Sequence, residues 1–148
     1  MLISTGALFF CYNTQRFLFV LRNPKSSHGN TWCLVGGKTE PGELIISGLY
    51  REITEEIGFI PKIIKSVPLD SYESRDQNFK YYTWLMIVDQ EFIPSLNDEN
   101  IGYAWVGFDG WPKPLHPGLY ASFKETTIRD KITNLISLDI DHLFNSQT

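Results

Sequence analysis

At 148 residues, 43% apolar and 20% charged, the chain is sized for one globular domain, residues 1–148, with a core of its own. A net charge of −4 leaves no basic field for sequence-independent nucleic-acid binding, although a small phosphorylated ligand needs only a metal ion or a few basic side chains. No apolar run approaches about 18 residues, which argues against a membrane span, and "MLISTGALFFCYN" lacks the basic start of a secretory signal.

Leu2–Tyr12 and Arg16–Arg22 are apolar and aromatic, with the turn-prone "NTQ" between them, and predict a hairpin. Cys11 and Cys33 sit in apolar runs without CxxC company and read as buried free thiols, which suits a reducing cytoplasm. A polar loop follows over Asn23–Asn30, then a short strand at Trp32–Val35 and a glycine-rich loop at Gly36–Gly42. Leu44–Ile57 is the first helix. Pro61–Ser74 and Phe79–Gln90 are extended and joined by the polar "RDQN", so a second hairpin is expected. Tyr103–Phe108 predicts a further strand. Three prolines in the nine residues of "GWPKPLHPG" exclude regular structure there. From Leu119 to Leu138 a helical pattern returns, with Ile128, Ile132, Leu135 and Ile136 spaced for one buried face. The outline is an α+β domain with helices on a mixed sheet.

The first helix carries an oddity. Glu52, Glu55 and Glu56 crowd its C-terminal end, where the helix dipole disfavours acid. Glu52 and Glu56, four apart, also repel. At about 100° per residue the three carboxylates share an arc of roughly 100°. Leu49, Ile53, Ile46, Ile57 and Tyr50 fill the adjoining arc and are expected to pack on the sheet. Gly48 lies one turn below the acids, where it weakens the helix by about 1 kcal/mol relative to Ala but permits close approach of backbone. A solvated acidic face is the ordinary explanation for three glutamates. A divalent cation explains the crowding as well, because hard carboxylate oxygens suit Mg²⁺ or Mn²⁺.

These residues also carry a family pattern. Gly37, Glu43, Arg51, Glu52, Ile53, Glu55, Glu56, Gly58 and Phe59 reproduce G-x5-E-x7-R-E-(apolar)-x-E-E-x-G-(apolar) without a gap. At average residue usage this match arises by chance on the order of once in a billion windows. The segment resembles the signature of the Nudix hydrolases. The resemblance implies an α/β/α sandwich around a mixed sheet. It also implies Mg²⁺-dependent cleavage (Mn²⁺ being an alternative) of the pyrophosphate in a small nucleotide, either a nucleoside triphosphate or a nucleotide sugar. Glu52, Glu55 and Glu56 would be the metal-binding and catalytic face, joined by the Gly36 carbonyl. Arg51 would brace Glu43, Lys38 would approach phosphate oxygens, and Glu52 or Glu99 would take the proton from water. Homodimers are common among such small domains.

Some positions depart from the family's usual pattern. Val35 stands where proline precedes the paired glycines. "NDENIGYAW" is similar to the E-H-x-x-Y-x-W segment of several Nudix proteins, including GDP-mannose mannosyl hydrolases, where the histidine serves attack at sugar carbon. Asn100 occupies that histidine position and is no base near pH 7, so attack at phosphorus is expected over attack at carbon. A non-catalytic nucleotide-binding module is the second alternative, against which the intact glutamate set argues. Tyr82 and Trp111 are the expected walls for a base, Tyr82 with Trp84 on one face of its strand and Tyr81 on the other. His28 and His116 read as surface histidines.

Overall fold

The computed structural model describes residues 1–124 and 126–145. Strand β1 (Leu2–Cys11) and strand β2 (Arg16–Arg22) form the first hairpin, pairing only beside the turn, Phe10 with Phe17 and Cys11 with Arg16. Beyond those pairs the two strands diverge, and the chain after residue 31 enters the gap. Its first part, β3 (Trp32–Cys33), pairs with Val20 and Leu21 of β2. Its continuation crosses to β1, where Val35 bridges Ala7 and Lys38 bridges Ser4. The glycine loop is thereby wedged into the sheet rather than hung from it.

On the far side of β1 lies β5 (Phe79–Val88), parallel to it, with β4 (Lys65–Glu73) antiparallel outside. Strand β6 (Asn100–Val106) runs antiparallel to β2. The sheet is mixed, in the order β3-β2-β1-β5-β4 with β6 on β2. Both faces are covered, so β1 reads as a near-continuous apolar run rather than an alternation. Ala7, Phe9 and Cys11 face helix α1 (Ile45–Ile57) and meet Leu49, Ile53 and Ile57. Leu8 and Phe10 face helices α2 (Pro117–Phe123) and α3 (Thr126–Asn145) and meet Leu119, Phe123, Ile132 and Ile136. This is the expected α/β/α sandwich. Among the described residues, no helix is long and apolar enough to cross a membrane.

Several boundaries differ from the sequence reading. Strand β4 begins at Lys65 rather than Pro61, and β6 begins at Asn100, three residues before Tyr103. The proline-rich stretch contains more order than expected: Phe108–Gly110 is a 3-10 turn, and α2 starts at Pro117. Proline is tolerated there because the first helical N–H has no intrahelical partner. The late helical pattern is two helices, not one. Phe123 and Ile128 are five residues apart, about 140° out of phase on a helix, so one continuous helix would not bury Leu119 and Phe123 together with Ile128 and Ile132.

Candidate active site

The acidic end of α1 is satisfied by the loop that follows β5. Gly58 closes the helix in the left-handed region at φ 85°, a conformation that favours glycine. Ser95 then donates its N–H to the Ile57 carbonyl at 3.0 Å, and the Asn97 amide donates to the Glu55 carbonyl at 2.9 Å. With its last carbonyls occupied, the helix end is less hostile to acid. The buried arc differs from expectation. Ile46, on the first turn, is 38% exposed, whereas Glu52 and Glu56 are 8% and 3% exposed. The carboxylates therefore lie within the packed side, next to Leu49, Ile53 and Ile57. A solvated acidic face is thus limited to Glu55, whose side chain is 49% exposed.

Each buried carboxylate has specific partners. Glu56 accepts from the Gly36 N–H at 2.6 Å and from the Asn100 amide at 3.0 Å. Burial outweighs those bonds and pushes its carboxyl up to about 8. Glu52 is also raised, chiefly by burial. Arg51 spans the cluster. Its Nε and Nη2 grip both oxygens of Glu43 at 2.8 and 3.1 Å, Nη2 also reaches the Lys38 carbonyl at 3.0 Å, and Nη1 reaches Glu52 and Glu55 at 3.1 and 3.2 Å. The brace between Arg51 and Glu43 is present, and the guanidinium is fully engaged. Any direct contact of Arg51 with substrate would have to displace one of these partners.

The glycines explain how closely loop and helix meet. A Cβ on Gly36, at φ 153°, would lie 2.1 Å from the Thr5 carbonyl oxygen, and a Cβ on Gly37 would lie 2.6 Å from the Glu52 carboxyl. Gly48 admits the Glu43 carboxylate, which a Cβ there would meet at 2.8 Å. The helix-weakening Gly48 therefore serves the preceding loop. Val35 and Gly37 direct their carbonyls to Ala7 and Thr5 of β1. By the alternation of an extended chain, Gly36 turns its N–H and carbonyl the other way, and that N–H is the one on Glu56.

Glu99 is exposed at the entrance to β6, beside Asn100, and its charge acts on both Glu52 and Glu56. A cavity of about 430 Å³ opens next to the cluster, sharing Gly36, Gly37 and Lys38 with it. Its other walls include Arg22, His28, Cys33, Leu34, Phe79, Tyr81, His116 and Leu119. Lys38 is exposed at the junction of cavity and carboxylates. Tyr82 and Trp111, the expected walls, do not line this cavity. Tyr82 pairs with Thr5 and faces the α1 side with Trp84, its ring 6.4 Å from that indole. Trp111 packs against Phe17, Phe19, Phe108 and Phe123 in the opposite core layer. The aromatic walls are Phe79 and Tyr81 instead, one residue out of phase with Tyr82. His28 and His116 line the cavity 4.7 Å apart. Cys33 is at its wall and only half-buried, while Cys11 is fully buried as expected.

The NUDIX domain model matches residues 3–126, most of the chain. The chain belongs to the NUDIX domain family. It is 27% identical over 106 residues to mouse 8-oxo-dGDP phosphatase NUDT18, covering 70% of this chain but 32% of that protein, so it spans about a third of that relative's length. The MutT protein of Methanosarcina mazei superposes with a TM-score of 0.59 at 25% identity, covering 73% of this chain and 78% of that one. The RenU Nudix hydrolase of M. smegmatis superposes with a TM-score of 0.71 at 22% identity, covering 88% and 85%.

Divalent cations are usual in Nudix hydrolases, and the donor chemistry here fits one. Two buried carboxylates whose ionisation is opposed by burial and by each other gain most from a cation at that place. No described residue donates to the Gly36 carbonyl. Among the described residues, no three His, Cys, Asp or Glu side chains are already converged on one point. Arg51, Gly36 and Asn100 hold the carboxylates in that arrangement. Asn100 is the participant the sequence reading undervalued. Seen only as a missing histidine, it is a buried donor that fixes Glu56 across 44 residues of chain.

Proposed function

We propose that this Nudix domain hydrolyses the pyrophosphate linkage of a small nucleoside diphosphate derivative, with water attacking phosphorus and Mg²⁺ or Mn²⁺ as cofactor. The observation that carries this is the pair of Glu52 and Glu56 carboxylates, sunk to 8% and 3% exposure beside an open cavity. A structural role would be better served by apolar side chains, since burying carboxylates costs stability unless they are paired.

Glu52, Glu55 and Glu56, with the Gly36 carbonyl, are the proposed cation ligands. A cation bound there supplies charge neutralisation on the diphosphate and makes bound water more acidic. Glu52 is assigned the proton of the attacking water, since only one of its oxygens is held by Arg51. Glu99 stands second, beside the cluster but exposed. Glu56, pinned by Gly36 and Asn100, is held still while its neighbours exchange partners. Arg51 keeps loop and helix in register through Glu43, and its weaker contacts to Glu52 and Glu55 are the ones a cation held by those carboxylates would replace. Lys38 guides the phosphates from the cavity toward the carboxylates. Asn100 donates to Glu56, and it offers no base for attack at sugar carbon. Two unpaired cysteines, Cys11 and Cys33, support a cytoplasmic location.

The test is a panel of nucleoside triphosphates, nucleoside diphosphates, nucleotide sugars and dinucleotides incubated with Mg²⁺ or Mn²⁺ and analysed for products. At least one should be cleaved at its pyrophosphate, with activity lost in Glu56→Gln and in the presence of chelator. Binding without turnover in the wild type would favour the non-catalytic module.

A further inference from the structure

We propose that Arg22 determines which base the cavity accepts, favouring one that presents paired acceptors, as guanine does at O6 and N7, over one that presents an amino group, as adenine does. This rests on the hydrolase reading, in that the cavity beside the carboxylates is taken as the seat of the nucleoside.

Arg22 ends β2 and is fixed by its surroundings. Its backbone N–H donates to the Thr31 carbonyl at 3.0 Å, and its own carbonyl accepts from Asn30 at 3.1 Å. Its Nε donates to the Ser27 carbonyl at 3.0 Å, which orients the guanidinium. The Cys33 thiol is within hydrogen-bonding reach. No described carboxylate pairs with Arg22, in contrast to Arg16 and Arg51. The half-buried guanidinium, oriented by Ser27 and next to Cys33, therefore borders the cavity without a described acidic partner.

The charged and ring groups among the remaining walls are donors or neutral, while the Ser4, Thr5 and Ser27 hydroxyls can serve either way. None of the lining residues is Asp or Glu, so no carboxylate is there to accept from an amino group. His116 Nδ1 accepts from the Gly118 N–H at 3.0 Å, and in the neutral ring the proton is then on Nε2, as a second donor. The His116 backbone is anchored to the Trp32 carbonyl at 2.8 Å, so this ring is as well placed as Arg22. The hydroxyl end of Tyr81 sits against Gly6, where a Cβ would collide with it, and with Phe79 it provides aromatic lining on which a base can stack. Stacking is indifferent to the base. Discrimination falls to the donors, and a guanidinium matches the O6 and N7 acceptors of guanine in two bonds, whereas adenine sets an amino group against it.

The experiment compares GDP, IDP and ADP, by calorimetric binding and by kcat/KM with Mg²⁺, in wild type, Arg22→Lys and Arg22→Met. IDP keeps O6 and N7 but lacks the 2-amino group, so it should behave as GDP does. Both are expected to exceed ADP by about ten- to a hundredfold, and both variants to reduce that ratio to within about twofold. Lysine retains the charge but not the fork, so a purely electrostatic role would survive Arg22→Lys. Equal treatment of GDP and ADP, IDP following ADP, or an equal loss on all three nucleotides in the variants overturns the assignment. Binding that favours GDP and IDP without turnover would instead refute the hydrolase reading and leave this one standing. Turnover without base preference would do the reverse.

Discussion

Replacing Glu56 by glutamine should make the metal-free protein more stable while removing its activity. Burial carries the Glu56 carboxyl to about 8, against 4.5 for a free glutamate. An acid whose folded pKa is raised contributes fully to stability below about 4.5, and that contribution is lost as pH rises through about 8. At pH 7 folding must either take up a proton over roughly 2.5 pH units or bury the anion, a cost of about 3 kcal/mol at 1.36 kcal/mol per unit. Glutamine removes the charge. Its oxygen and NH₂ can still serve Gly36 and Asn100, provided the Asn100 amide turns over to accept. Chelator-treated Glu56→Gln should therefore exceed wild type by about 2–3 kcal/mol at pH 7, raising Tm by roughly 5–10 °C. The gain should grow at pH 8 and vanish near pH 4.5. Thermal and urea unfolding at several pH values measures it. A Glu56→Gln protein less stable than wild type by the same amount at every pH would refute the reasoning, since it would mean that the carboxylate was structural.

Gly36→Ala should destabilise by about 2 kcal/mol or more in urea unfolding, because its Cβ is driven against the Thr5 carbonyl and backbone cannot give way cheaply. Gly37→Ala meets the side-chain carboxylate of Glu52 rather than backbone, so kcat should fall with a smaller loss of Tm than in Gly36→Ala. Arg51→Lys keeps the charge but loses the two-pronged grip on Glu43, and its Tm should drop by several degrees with a parallel rise in the Mg²⁺ concentration needed for half-maximal activity. Trp111→Phe should retain activity, since the indole packs in the core and its buried N–H has no described partner. A large loss of turnover there would restore Trp111 as a substrate wall.

What could be read from sequence was whatever rests on local spacing. The helix α1, the glycine at its end and the Glu43–Arg51 spacing are all fixed within 23 residues of chain, and each is found at its place, although the buried arc of α1 takes in Glu52 and Glu56 and leaves Ile46 exposed. Alternation along β5 correctly put Tyr82 with Trp84 and opposite Tyr81. It could not say which face holds the cavity, because that depends on the parallel pairing of Ser4 with Tyr81 and Thr5 with Tyr82. The hold of Asn100 on Glu56 and the approach of His116 to His28 are likewise products of tertiary packing, with no local signal. The wedge of Gly36–Lys38 between β1 and β2 was hidden for a similar reason. A loop rich in glycine looks the same in sequence whether it dangles or completes a sheet, and only the steric demand at Gly36 separates the two.

The most direct measurement is the fate of ¹⁸O when a cleaved nucleotide is turned over in labelled water with Mg²⁺. Label on a phosphate product, seen by mass or by its phosphorus shift, is the predicted result. Label on the sugar, or no turnover of any pyrophosphate-containing nucleotide by a folded, cation-supplied protein, would contradict the account.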